Sequence, residues 1–336
     1  NYIIYQVAQI YFNNHDWPGN NIKYWKHKDG KWKWIIYDTD FGFGSHPSWL
    51  GYNFNTLSFA LDQNGPNWPN PPWSTLLFRK MVENNIFRNK FINRFADELN
   101  SRFLPEKFSE HIDTLISKID SEIPSHFNRW SNHVQNWDYI ESVNKMKNFS
   151  ENRSFYCRNH ILSVFELPAF HDLLFEIDDV DKGKIEVNNN LIINEDGWKG
   201  KYFETVPIKL IAIPKPGYAF SHWTDEYNVL PQNIDLNSAE INFDVKRSTK
   251  LKPHFIIAPL AIEDKLNSFT LYPNPAKDNI IVISNHNTKI KDLYFVDFNG
   301  KIFRPKKVKR VGEKTQINVS SFTEGMYILE IITKKE

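Results

Sequence analysis

The chain has a single cysteine, Cys157, in 336 residues, so it can close no internal disulfide and build no multi-cysteine zinc site. Net charge is also nearly absent. The 41 Lys and Arg stand against 40 Asp and Glu, which leaves no field to steer the whole molecule toward nucleic acid or an anionic membrane. No run approaches the ~20 apolar residues needed to cross a bilayer. The opening residues, Asn1 to Gln6, have neither an initial Met nor the basic-then-apolar pattern of a signal peptide, so the numbering is expected to begin inside a larger protein or after processing. The 11 histidines show no His-Glu-x-x-His or comparable spacing, which disfavours a zinc hydrolase.

Aromatic side chains are plentiful: Trp, Tyr and Phe make up 15% of the sequence, enough to fill large cores or to supply exposed stacking surfaces. A chain of this length accommodates two or three domains, and its texture changes twice. Up to about Leu167 the pattern is mixed and then helical. Apolar residues at Ile3, Ile4, Val7, Ala8, Tyr11 and Phe12 predict an amphipathic helix over Tyr2 to Phe12. Ile22 to Trp25 and Trp32 to Tyr37, flanking Asp29-Gly30, predict a hairpin. Helical periodicity follows over Thr75 to Glu83, Phe87 to Leu99, Pro105 to Ile123 and Asp138 to Phe165. From 168 to 256 short strand-like runs dominate (Lys184 to Val187, Ile208 to Ile213, Ile241 to Val245, Leu251 to Phe255). A linker over 257–266 precedes a last segment, 267–336, whose regular short strands and turns argue for a small sandwich.

Chemistry concentrates between Asn14 and Gly44. With a turn centred on Asp29-Gly30, Asn21 falls opposite Asp38, and cross-strand partners share a face. Asp40 shares that face if the backbone stays extended, and Asp16 enters from the preceding loop. A loop Asp, an Asn five residues on, and an Asp-Phe-Gly beyond a hairpin repeat the order of parts in the kinase set. In phosphoryl transfer such groups hold a divalent ion and orient the acceptor hydroxyl. Spacing alone is also satisfied by an Asp and an Asn that cap backbone N–H groups in a turn.

This stretch, NHDWPGNNIKYWKHKDGKWKWIIYDTDFGFG, resembles the CotH (spore coat protein H) kinase-like family, as does WPNPPWSTLLFRKMVENNIFRNKFINRFADELN downstream. The resemblance implies an atypical protein-kinase fold that transfers phosphate from ATP to protein Ser or Thr with Mg²⁺ or Mn²⁺. Asp16 then resembles the catalytic Asp and Asn21 a metal ligand, with Asp38 or Asp40 as the second. Only fifteen residues precede Asp16, so the lobe that covers the nucleotide is expected to be missing here, and these residues alone are expected to bind ATP weakly or not at all. The middle segment, with PKPGYAFSHW, resembles an internalin-type or bacterial surface repeat in which Gly217 serves a turn and Tyr218, Phe220 and Trp223 form the core. The last segment, with FTLYPNPAKDNIIVI and TEGMYILEIITKK, resembles the type A sorting domain of the type IX secretion system of Bacteroidota, an immunoglobulin-like β-sandwich.

The expected whole is a multidomain α+β protein: a kinase-like C-lobe of β-hairpin plus helices (1–167), a small β-repeat (168–256), the linker (257–266) and the sandwich (267–336). It is exported to the outer cell surface, has no transmembrane segment and no nucleic-acid partner, meets the secretion machinery through 267–336, and acts on an unidentified protein. A non-catalytic adhesion or structural protein whose acidic cluster merely binds a cation remains the alternative. A glycosidase fits poorly, because the Asp residues cluster with amides on one hairpin. His15 lies beside Asp16 and His46 follows Gly44, but scattered single histidines more often pack or face solvent. Arg79, Arg88, Arg94, Arg153 and Arg158 read as solvated faces or structural ion pairs. Trp68 and Trp73 read equally as a substrate groove or as loop anchors. The strip Lys301 to Arg310 reads as a solvated hairpin.

Overall fold

The computed structural model describes residues 1–44, 51–130, 139–258, 269–284, 290–297 and 300–333. Chain contacts divide it into two compact units, 1–257 and 258–336. No described helix is long and apolar enough to cross a membrane.

Helix α1 spans Tyr2–Phe12, where the apolar spacing predicts it, and ends on Asn13 in the left-handed region. Asn and Gly tolerate that conformation best, which makes Asn13 an effective stop. Strands β1 (Lys23–Trp25) and β2 (Lys33–Ile35) form the expected hairpin. Its register differs from the expected one: Tyr24 pairs with Trp34, so the ladder centres on Asp29, and its outward continuation would bring Asn21 opposite Tyr37, not Asp38. The cause lies in the turn. The Gly30 N–H donates to His27 O, which puts Lys28 and Asp29, not Asp29 and Gly30, at the turn's central positions.

Short helix α2 (Thr56–Leu61), unexpected from the sequence, is capped by Asn55, whose side chain accepts from the Ser58 N–H. Helices α3 (Pro72–Glu83) and α4 (Asn85–Leu99) follow. The segment read as one helix over Pro105 to Ile123 breaks up. Helix α5 ends at Ile119, a 3₁₀ turn covers Asp120–Glu122, and α6 (Ile123–Trp130) starts with Pro124 in its first turn, a position where Pro costs no helical hydrogen bond. Helix α7 runs from Tyr139 to Phe165.

Two four-stranded sheets complete the first unit. One has the order β6-β3-β10-β8 (Trp198–Phe203, Phe170–Phe175, Thr249–Ile257, Tyr218–Asp225) and the other β5-β4-β7-β9 (Leu191–Ile193, Gly183–Val187, Pro207–Pro214, Glu240–Asp244). Trp223 is buried, with Tyr218 and Phe220 half-buried beyond Gly217 at φ +88°. Helices and sheets share one continuous core, from Tyr11, Phe91 and Phe95 to Leu173, Tyr202 and Leu251.

A polar seam runs along α4 where it meets the strands. Asn93 donates to Pro207 O at 2.7 Å, and Asn100 donates to Lys201 O at 2.9 Å while accepting from the Lys201 N–H. Asp97, buried between them, accepts from Asn188 Nδ2 (3.0 Å), Asn190 Nδ2 (2.8 Å) and the Tyr202 hydroxyl (2.9 Å).

The second unit has two antiparallel sheets, β11-β12-β16-β15 (Phe269–Tyr272, Asn279–Ser284, Lys314–Asn318, Val308–Val311) and β14-β13-β17 (Ile302–Phe303, Ile290–Val296, Ile328–Thr333). Val282 and Ile317 from one sheet and Leu293 and Phe295 from the other belong to one core. The Lys301 to Arg310 strip is not one hairpin but passes from β14 in one sheet to β15 in the other, and all four residues of β15 are exposed.

Candidate active site

The site is built on the end of α1. Past Asn13 the chain turns through Asn14, His15 and Asp16, and two backbone contacts bring the Asp-Phe-Gly stretch back to that end. Phe43 N–H donates to Phe12 O at 2.7 Å and His15 N–H to Phe41 O at 3.4 Å, while Gly42 N–H closes a turn within the stretch on Thr39 O at 2.9 Å. Gly42 is needed here. A Cβ on it would lie 2.9 Å from both Phe12 O and Thr39 O, closer than carbon and oxygen tolerate. The other side of the loop is tied down by Gly19, whose N–H donates to Pro69 O.

Within this frame Asn21 Nδ2 donates to Asp16 Oδ2 at 2.8 Å and lies 3.5 Å from Asp38 O. Asn21 and Asp38 both have φ +53°, and these two left-handed turns bend the strand ends inward past the point where the ladder stops. The shift of register therefore does not separate them. The Asp38 carboxyl is raised from its ordinary pKa. Loss of solvation is the largest cause, followed by the hydrogen bond and charge of Asp40 and the charge of Asp16, with an Asn21 hydrogen bond acting the other way. Asp16, Asn21 and Asp40 thus all lie within electrostatic or hydrogen-bonding reach of Asp38. Asp16 Oδ1 is enclosed and has no hydrogen-bond partner.

Sequence reasoning missed Asn14. Fully buried, it accepts the Asp16 N–H on Oδ1 at 3.1 Å, while its Nδ2 donates to Gln9 Oε1 at 2.9 Å and lies 3.5 Å from Asp38 O. One side chain so fixes the backbone of two acidic residues. The Asn13-Asn14 doublet directly after an amphipathic helix was the available signal, because such amides bond to local backbone.

Arg153 is neither solvated nor ion-paired as expected. Wholly buried on α7, its guanidinium donates to Ile10 O and Tyr11 O at the end of α1, to Tyr52 O and Phe54 O, and to Thr56 Oγ1, at 2.7 to 2.9 Å. Thr56 in turn donates to Asn13 Oδ1. Arg94 pairs with Glu98 at 2.8 Å, while Arg79, Arg88 and Arg158 make local or interhelical bonds, so none of the five reaches the carboxylates. Trp68 and Trp73 are 59% and 65% exposed, so neither anchors its loop. Asn70 does, fully buried and donating to Phe59 O at 2.6 Å. His15 is buried, and His46 lies outside the described residues.

The donors gathered here are all hard oxygens, the kind that Mg²⁺ and Mn²⁺ prefer. Among the described residues no three His, Cys, Asp or Glu side chains stand close enough to form a ready cage for an ion.

An acidic residue after a helix, an amide five residues on, a hairpin and a docked Asp-Phe-Gly are thus present in space as well as in order. Residues 1–157 match the CotH kinase protein family. The site lies wholly within that CotH kinase domain, and residues 270–336 match the secretion system C-terminal sorting domain. No curated protein and no solved structure matches the chain. The sorting domain marks the CotH-like protein for the type IX secretion machinery and for the outer surface or the exterior.

Proposed function

We propose that the CotH domain is the metal- and acceptor-holding part of a phosphotransferase that moves the γ-phosphoryl group of ATP to a protein Ser or Thr. The observation that carries this reading is the 2.8 Å bond from Asn21 to Asp16, beside Asp38 and Asp40 at the open end of the hairpin. Asn21, with Asp38 or Asp40, would hold Mg²⁺ or Mn²⁺. The ion supplies neutralisation of the charge that builds on the phosphate oxygens.

Asp16 orients the acceptor hydroxyl and takes its proton. The bond from Asn21 holds one carboxylate oxygen in place. Asn14 and Gly42 set the spacing between Asp16 and the Asp38–Asp40 segment, and Arg153 fixes the helix end from which both depart. In this reading the middle sheets act in spacing or protein contact, and the two sheets of the second unit form an immunoglobulin-like sandwich.

Transfer of labelled phosphate from ATP by the native full-length protein tests the reading. Asp16→Ala is expected to lower the rate by about 10² to 10⁴, the usual worth of a positioned general base, and Asp40→Asn to lower it together with metal affinity. No transfer by the unaltered protein, and no effect of nucleotide or metal on its melting, would favour a surface adhesion protein.

A further inference from the structure

A cleft of about 410 Å³ opens between the hairpin, α1 and α3; Trp17, Pro18 and Ile22 belong to its lining, and Asp16, Asn21, Asp38 and Asp40 do not. Tyr24, Trp32 and Trp34 of the hairpin and Trp73 of α3 form its aromatic walls, with Gln6 and Ser74 among its polar lining. These rings are unusually open to solvent: Tyr24 is 57% exposed, Trp32 52% and Trp73 65%. They do not make one flat apolar patch. Tyr24 meets Trp32 at 76° and Trp34 at 39°, so they form a corner.

One lysine, Lys26, borders this corner, in a hairpin that is basic throughout. Residues 22–37 hold Lys23, Lys26, Lys28, Lys31 and Lys33 against one carboxylate, Asp29. Only Lys28 comes near it, at 4.0 Å between two well-exposed groups. Three of the others lie over rings instead: Lys26 over Trp32 at 6.0 Å on the face of the corner, and Lys33 over Trp25 at 5.5 Å and Lys23 over Tyr37 at 4.2 Å on the opposite face of the hairpin. A ring with an ammonium beside it suits a ligand that has both a flat C–H face and an acidic group. The weakly positive C–H bonds of a pyranose stack on the negative ring face, and the ammonium pairs with a carboxylate, sulfate or phosphate on the same sugar. The volume lies within the range of small-ligand sites, and the sorting domain sends the protein to the surface, where saccharide polymers are met.

We propose that this cleft is a binding site for an acidic saccharide. Its lining shares no residue with the carboxylate cluster, and binding there does not depend on phosphoryl transfer. An acidic peptide offers the charge without the flat face. A single-stranded nucleic acid or the base of a nucleotide offers both, and these are the competing occupants to be tested.

The whole chain is applied to an array of carboxylated, sulfated, phosphorylated and neutral saccharides. The tightest ligand is then titrated against the wild type, Trp73→Ala and Lys26→Glu, with ATP and oligothymidylate titrated in parallel. Both altered side chains are exposed, and unchanged melting confirms that each variant is folded. The expected result is binding of acidic over neutral saccharides, weakened at least tenfold by either substitution. Binding of no saccharide on the array, equal binding by the variants, or a response to ATP or oligothymidylate alone would overturn the proposal.

Discussion

Replacing Arg153 by alanine is expected to cost the first unit about 4 kcal/mol or more of stability, in the range found when a buried charged group loses its partners. The guanidinium donates to four backbone carbonyls and one hydroxyl, drawn from the end of α1 and from residues 52–56. Without it those acceptors stay buried and unpaired, each at about 1 to 3 kcal/mol before relaxation or entry of water. Burial already lowers the Arg153 pKa, so no excess attraction to a carboxylate holds it there; the carbonyl dipoles do. Arg153→Lys is expected to recover little, because one ammonium cannot span both segments.

All 11 tryptophans lie within residues 1–257, so tryptophan fluorescence during urea unfolding reports on this unit alone. A shift below about 1 kcal/mol, the usual size of a surface change, would show that Arg153 is not the clamp described here.

The second large effect concerns Asp97. Burial pushes its carboxyl up to about 6 from 3.8, against the hydrogen bonds from Asn190, Tyr202 and Asn188 and the charge of Arg94, which act to lower it. A carboxyl raised on folding binds its proton more tightly in the native state. Its contribution is therefore fully present below the unfolded pKa and is lost as pH rises through about 6. A rise from 3.8 to about 6 corresponds to ~3 kcal/mol, at 1.36 kcal/mol per pH unit.

Asp97→Asn keeps the shape and carries no charge at any pH. Its Oδ1 can accept from Asn188 and Tyr202, and Asn190 can turn its amide to meet the new Nδ2. Between pH 4 and pH 7.5 the wild type is expected to lose about 2 kcal/mol relative to this variant. Parallel stability curves would contradict the account. The strain bears on architecture, since Asp97 joins α4 to the turn after β4 and to β6.

Much of this was legible in the sequence. The apolar spacing of α1, the hairpin, the strands of 267–336 and the order of Asp16, Asn21, Asp38 and Asp40 along the chain all follow from local pattern. What was hidden depends on long-range partners. Strand β3 pairs parallel to β10 and antiparallel to β6, and its Phe-His-Asp-Leu-Leu-Phe has no clear alternation to announce it. Arg153 looks like any helix arginine until residues 52–56 pack over it. The register moved because a short polar turn can centre on either of two adjacent positions, and hairpin composition does not decide which. Asp38 and Asn21 still meet because of left-handed backbone that hydrophobic pattern does not encode.

The central claim is that an amide and neighbouring carboxylates at the base of the hairpin hold a divalent ion. Mn²⁺ binding, followed by electron paramagnetic resonance on the whole chain, tests it most directly. About one Mn²⁺ per chain is expected, displaceable by Mg²⁺ and weakened at least about tenfold in Asn21→Ala and in the Asp38→Asn, Asp40→Asn double variant, as for the loss of oxygen ligands. Equal Mn²⁺ binding by wild type and variants, or none by the wild type, would contradict it.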